Sequence, residues 1–227
     1  MDSPEGKRRL GYGRRKGPKL SPHQQHLRDT LLPQLLLAPE AGRDPRTYFA
    51  AVDEVWLEVG FGAGEHLLWQ AEHHARIGVI GAEPYEAGTN KLLSKLQEKF
   101  PANIRLYEGD ARDIIDALPE NSLSRFFILF PDPWPKTRHH KRRFIQTAML
   151  DTLARVLKPG AELRFATDDK SYLPYALERL MAHPSFEWTA KGQNDWKSRP
   201  ADWPQTRYEA KAIKGPPVFL SFRRRTG

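Results

Sequence analysis

A chain of 227 residues with 36 Lys and Arg against 28 Asp and Glu, a formal charge of +8, can bury one full core plus extensions and is drawn toward polyanions rather than acidic partners. Cysteine is absent, which excludes disulfides, thiolate metal sites and cysteine nucleophiles. No apolar run approaches the roughly 18 residues of a membrane span, and the charged N-terminal stretch is unlike a signal peptide, so a cytoplasmic protein is expected.

Residues 1–21 carry Lys7, Arg8, Arg9, Arg14, Arg15, Lys16 and Lys19 among Gly and Pro, too little apolar surface to fold alone. The expectation is a basic arm that either lies along phosphates or is a plain tail with no partner. Residues 24–37 are richer in Leu but interrupted by Pro33, which suits a short docking helix or turn. The chain is thus divided into an arm and docking helix at 1–50 and a catalytic domain at 51–227. From residue 55 short apolar runs alternate with amphipathic segments, the pattern of an α/β fold with a mostly parallel sheet covered on both faces. Strands are expected at 55–59, 77–82, 104–107, 125–130 and 162–166, with helices at 65–74, 85–99, 111–117 and 143–157. The last helix should stop at Lys158-Pro159-Gly160. A further helix to about residue 181, then strands at 186–189 and 218–222, would extend the sheet along one edge.

The first strand runs straight into Glu58-Val59-Gly60-Phe61-Gly62-Ala63-Gly64 and a helix, a turn that lets a ligand approach backbone N–H groups. A dinucleotide site calls for G-x-G-x-x-G, whereas the third glycine falls one residue early and Glu65 follows it. Glu83 ends the second strand, where a carboxylate can accept from ribose hydroxyls or simply start a helix ahead of Pro84. Asp110 follows the third strand and can face a ligand or cap the helix beginning at Ala111. Three acids at three successive strand ends favour a ligand, because open α/β sheets bind beyond those ends.

The fourth strand ends in Phe130-Pro131-Asp132-Pro133-Trp134-Pro135-Lys136. Alternate prolines should hold this stretch extended and fix the directions of Asp132 and Trp134. The glycine loop and its preceding acid resemble the donor-binding motif of class I methyltransferases. The proline segment, with Arg138-His139-His140-Lys141-Arg142-Arg143, then Thr167-Asp168 and Thr206-Arg207-Tyr208-Glu209, resembles the tRNA (guanine-N7-)-methyltransferase family. The similarity runs from about residue 55 to the C-terminus, with Thr137 standing where a basic residue is common.

That resemblance implies a Rossmann-like fold with a seven-stranded, mostly parallel sheet and an antiparallel edge strand. It also implies S-adenosyl-L-methionine as methyl donor, tRNA as partner and a variable-loop guanosine as target. The implied donor set is Glu58, Gly60, Gly62, Gly64, Glu83, Asp110 and Asp132. Asp132 is implied in catalysis, Lys136 and Asp168 in substrate binding, and Thr206, Arg207, Tyr208 and Glu209 around the guanosine. Nothing implies an obligate partner subunit, and a monomer or homodimer is expected.

Guanine N7 is a lone-pair acceptor without a proton, so methylating it needs no general base and Asp132 should act electrostatically. The run Arg138, His139, His140, Lys141, Arg142 and Arg143 sits badly at a helix start, where the dipole is already positive, and phosphate binding explains it better than local stability. Trp134 either stacks on the target base or supports the loop. Adjacent histidines diverge, and His73, His74, His139 and His140 lack the spacing of a metal motif, so no metal is expected. Two other functions fit parts of the pattern. Asp132-Pro133-Trp134 is similar to the D-P-P-aromatic segment of exocyclic-amine methyltransferases, though its order departs from it. A basic RNA-binding protein without catalysis would have no use for the four acids.

Overall fold

The computed structural model describes residues 15–97, 100–210 and 214–226. Most of the basic arm, 1–14, lies outside the described residues. The chain opens with α1 (Pro22–Thr30), capped reciprocally by Ser21 and Gln24, and a short α2 (Leu32–Leu35) begun by Leu32-Pro33. There follow β1 (Glu54–Val59), α3 (Glu65–His73), β2 (Ile77–Ala82), α4 (Glu86–Leu96), β3 (Ile104–Tyr107), α5 (Ala111–Ala117) and β4 (Leu123–Leu129). A 3-10 turn at Thr137–Arg142 precedes α6 (Thr147–Val156), β5 (Leu157–Thr167), α7 (Tyr172–Ala182), β6 (Phe186–Trp188), α8 (Asn194–Lys197), α9 (Arg207–Ala210) and β7 (Val218–Arg224).

The seven strands lie in the order β3-β2-β1-β4-β5-β7-β6, all parallel except β7, which runs antiparallel to both β5 and β6. Strand order reverses direction between β1 and β4. In open α/β sheets such a reversal opens a crevice beyond the strand C-termini. Side chains alternate across the sheet. Phe126 packs with Leu57, Ile114, Leu150 and Tyr172 on the α5, α6 and α7 face, while its neighbour Phe127 meets Trp56 and Trp203 on the other. Leu67 of α3 and Leu92 and Leu93 of α4 cover β2 and β3 together with Leu27, Leu32 and Leu35 of the first two helices. Arg28 secures α1 by a bidentate bond to Glu108 at 2.9 and 2.7 Å and a third bond to Asn90 at 2.8 Å.

Three expectations need correction. The helix expected over 143–157 begins only at Thr147, because Thr137–Arg142 forms its own 3-10 turn and Arg143 is held extended by tertiary bonds. β5 begins at Leu157, not residue 162. The turn at Lys158-Pro159-Gly160 is a bend within the strand, with Gly160 at φ 81 and a register shift opposite Leu123 and Arg125. The segment after β4 is not uniformly extended, since Phe130 (φ 51) and Trp134 (φ 43) adopt left-handed backbone. In the helix expected over 85–99, residues 98 and 99 lie outside the described residues. No helix among the described residues is long and apolar enough to cross a membrane.

Candidate active site

Parallel register brings four strand tips level: Val59 pairs with Ala82 and Ile128, and Ala82 with Tyr107. Beyond β1 the chain turns through the glycines, and Gly62 and Gly64 have φ of 56 and 72. That backbone is costly for any L side chain. A Cβ on Gly62 would meet nothing within 4 Å, so this part of the turn lies open, whereas one on Gly64 would fall 2.6 Å from Leu92. Lys95 donates to the Ala63 carbonyl at 2.8 Å and holds the turn from α4.

Glu83 is 8 % exposed and braces the same turn. One carboxylate oxygen accepts from the Gly62 amide at 2.8 Å and the other from the amide of Tyr85, the residue just before α4, at 2.9 Å. Burial pushes its carboxyl above the usual range against the pull of those two amides, and the charges of Asp132 and Glu58 push the same way. Asp110 is likewise 8 % exposed, caps α5 through the Arg112 amide at 3.1 Å and pairs with the Arg112 guanidinium at 2.7 Å. Glu58 stands behind the turn, 2 % exposed, 2.8 Å from His66 Nδ1.

A cleft of about 260 Å³ opens between the tips of β1 and β4, and Gly60, Glu83, Asp110, Phe130, Asp132 and Trp134 are among the residues lining it. Asp132 is exposed, flanked by the two left-handed residues Phe130 and Trp134. Among the described residues only Asn121 shares that non-glycine backbone, and strain of this kind persists where surrounding bonds enforce it. Phe130 N–H donates to Ala166 at 2.8 Å, and Arg143 Nε donates to the Pro133 carbonyl at 2.7 Å. Arg142 lies 4.9 Å over the Trp134 ring, which makes Trp134 part of the loop's own packing.

On the β5 side, Tyr208 tilts against Phe130 with ring centroids 5.2 Å apart. Burial raises its hydroxyl's pKa, and the nearby carboxylates of Asp168, Asp132 and Asp169 raise it further, so these groups share one neighbourhood. Asp168 accepts from the Lys214 amide at 3.3 Å. Thr206 and Glu209 are each 9 % exposed, with Thr206 Oγ1 accepting from the Glu209 amide at 3.2 Å and Arg199 pairing with Glu209. Arg207 pairs with Glu65 at the first turn of α3.

A family model described as a putative methyltransferase matches residues 53–218. A tRNA (guanine-N(7)-)-methyltransferase of Rhodospirillum rubrum is 52 % identical over 223 residues, covering 94 % of this chain and 87 % of its own. Proteins of the same name from Ruegeria pomeroyi (45 %, covering 99 % and 98 %) and Brucella anthropi (46 %, covering 94 % of each) are also similar. This chain belongs to the tRNA (guanine-N(7)-)-methyltransferase family. Its fold is similar to an rRNA methylase from Streptococcus thermophilus (TM-score 0.53, 13 % identity, covering 77 % and 89 %). It is equally similar to the [4+2]-cyclase SpnF (TM-score 0.52, 18 %, covering 78 % and 76 %), so the fold alone does not choose the chemistry.

Within this family member the residues singled out from sequence separate into groups. Lys136, Arg138 and Lys141 are exposed along the 3-10 turn, with His139, His140 and Arg142 half-buried among them. Arg143 does not join that ridge. It is 2 % exposed, bonded to Pro133 O and Ser171 and lying 4.5 Å over the Tyr175 ring, so its role is to shape the loop that carries Asp132. Sequence reasoning missed Arg112, which neutralises Asp110 two residues away, and Arg28, whose partner Glu108 is 80 positions distant.

Proposed function

We propose that this protein transfers a methyl group from S-adenosyl-L-methionine to N7 of a guanosine in tRNA, forming 7-methylguanosine. The observation that carries this reading is one cleft at the sheet's reversal point, lined by two partnered acids on one side and the exposed Asp132 on the other. The residues fit the donor: the Gly62 backbone lies open, and the Glu83 carboxylate, an acceptor, lines the cleft beside it. Bound there, S-adenosyl-L-methionine supplies an electrophilic methyl on a sulfonium.

Glu83 would accept from the ribose hydroxyls and Asp110 would face the adenine end. Glu58, lacking a place in the cleft wall, contributes negative charge from behind the turn. Asp132 accepts from the guanine ring N–H and amino group, which aims N7 inward. The N7 lone pair forms the new bond as the carbon–sulfur bond breaks, so positive charge moves onto the purine and no proton is taken by the protein. The Asp132 carboxylate beside the base stabilises that cation. Asp168, Thr206 and Tyr208 border the purine, and Lys136, Arg138 and Lys141 hold RNA phosphates.

The test is incubation with methyl-labelled donor and unmodified tRNA, followed by digestion and mapping. Label in 7-methylguanosine of the variable loop is expected. Label on an exocyclic amine, or none, overturns the proposal.

A further inference from the structure

Behind the cleft, two side chains not used in the mechanism, His66 and Gln70, connect Glu58 to the Asp202 carbonyl in a directed line of hydrogen bonds. Gln70 Nε2 lies 2.9 Å from the Asp202 carbonyl oxygen and 3.0 Å from His66 Nε2, and His66 Nδ1 lies 2.8 Å from Glu58 Oε2. A carbonyl oxygen only accepts, so the Gln70 atom facing Asp202 has to be the amide nitrogen. Its second N–H then points at His66 Nε2, which must accept. The ring proton therefore sits on Nδ1 and is donated to Glu58, and every bond in the line has a fixed direction.

Glu58 and His66 are 2 % exposed and Gln70 is fully buried. Gln70 Oε1 has no hydrogen-bond partner among the described residues. An orphaned buried acceptor costs stability that a leucine or methionine in the same space would not. The amide is therefore useful for what its two N–H groups hold. One of them holds Asp202, where the chain enters the stretch that carries Thr206 and Tyr208. The Asp202 carboxylate is gripped in turn by Arg164 at 2.9 Å and Arg125 at 3.3 Å, and the next residue, Trp203, is 3 % exposed with its ring 5.2 Å from that of His66.

We infer that His66 and Gln70 are positioning residues for guanosine recognition: they tie the Asp202 carbonyl, and with it the Thr206 to Tyr208 stretch opposite Asp132, to the carboxylate at the tip of β1. Donor loop and acceptor segment are thereby one hydrogen-bonded unit, and the segment that meets the base is held in order by side chains that touch neither base nor donor. This rests on the reading above, in which that stretch meets the target base.

Gln70→Leu removes both donors at nearly constant volume. Donor affinity is measured by calorimetry without tRNA, tRNA KM and kcat by steady-state methylation, and order in 199–209 by hydrogen exchange. The expected result is a tRNA KM raised about tenfold with faster exchange in 199–209, while donor Kd and kcat change no more than about twofold. His66→Asn is the second variant, and it carries the test if Gln70→Leu does not fold. With its NH2 in the place of Nδ1 it keeps a donor toward Glu58, but its carbonyl oxygen is too short to reach the position of Nε2, so Gln70 loses its acceptor and the same signature is expected. Unchanged tRNA KM and exchange in a folded variant overturn the inference. So does a parallel fall of donor affinity, segment protection and melting temperature, the mark of ordinary core residues. A wild-type chain that makes no 7-methylguanosine defeats the functional reading instead, and hydrogen exchange still decides whether the line of bonds holds the segment.

Discussion

On the β2 and β3 side of the cleft, Glu83 and Asp110 are almost fully buried and already hold backbone amides or a guanidinium. On the β4 side Asp132 stands exposed, with Lys136, Arg138 and Lys141 solvated close by. The first side is finished before any ligand arrives, as suits a small molecule recognised by a few fixed groups. The second is a strained loop and an exposed charged ridge, as suits the large, polyanionic substrate proposed for it. Pre-organisation is thus concentrated on the side proposed for the methyl donor, and adaptability on the side proposed for RNA.

Removing the exposed carboxylate is the most severe way to probe this asymmetry. Asp132→Asn is expected to lower turnover by roughly 10²- to 10³-fold, the usual cost of one electrostatic group at a transition state, with donor affinity by calorimetry little changed. A comparable loss in both measurements would show that the two sides are not separate. Replacing Lys136, Arg138 and Lys141 together by Gln should flatten the plot of log tRNA affinity against log salt by about 2, at roughly 0.7 per phosphate contact, without affecting donor binding. Gly88→Ala attacks the other side. Helix propensity alone favours alanine by about 1 kcal/mol, but its Cβ would fall 2.5 Å from the Gly62 carbonyl. The glycine turn must shift, and donor affinity should fall about tenfold with the tRNA salt slope intact.

The smallest effect lies in pH. Because the folded-state pKa of Glu83 is raised, its contribution to stability is full below the ordinary carboxylate range and is lost as pH rises through the elevated value. Donor binding runs the other way, weakening on acidification earlier than an ordinary carboxylate would dictate. Asp132 is among the charges that raise Glu83, so Asp132→Asn should move that acid limb to lower pH; an unmoved limb would show no electrostatic link across the cleft.

The parallel strands were legible because they are buried on both faces and leave short uninterrupted apolar runs. Ile77–Ala82 and Ile104–Tyr107 agree with expectation to the residue, as does the helix Ala111–Ala117 capped by Asp110. Level register then made the acids at strand ends recognisable as neighbours. What sequence could not supply depends on long-range bonds. Residues before prolines prefer extended backbone, yet Phe130 and Trp134 are left-handed in a loop tied to Ala166 and to Arg143. Arg143 looks like its cationic neighbours along the chain, and only its bonds to Ser171 and Pro133 separate it from them. The line through Gln70 joins residues 132 positions apart and has no local pattern.

The position of β7 bears on biosynthesis. The last strand of the chain inserts between β5 and β6, pairing with both. Until residues 218–224 leave the ribosome, β5 has an open edge and β6 has no strand to join, although the donor-side strands β1 to β3 and their helices are complete. The strands that carry Glu58, Glu83 and Asp110 can therefore pair early, while the β5 edge stays open to wrong pairing until residues 218–224 have been made.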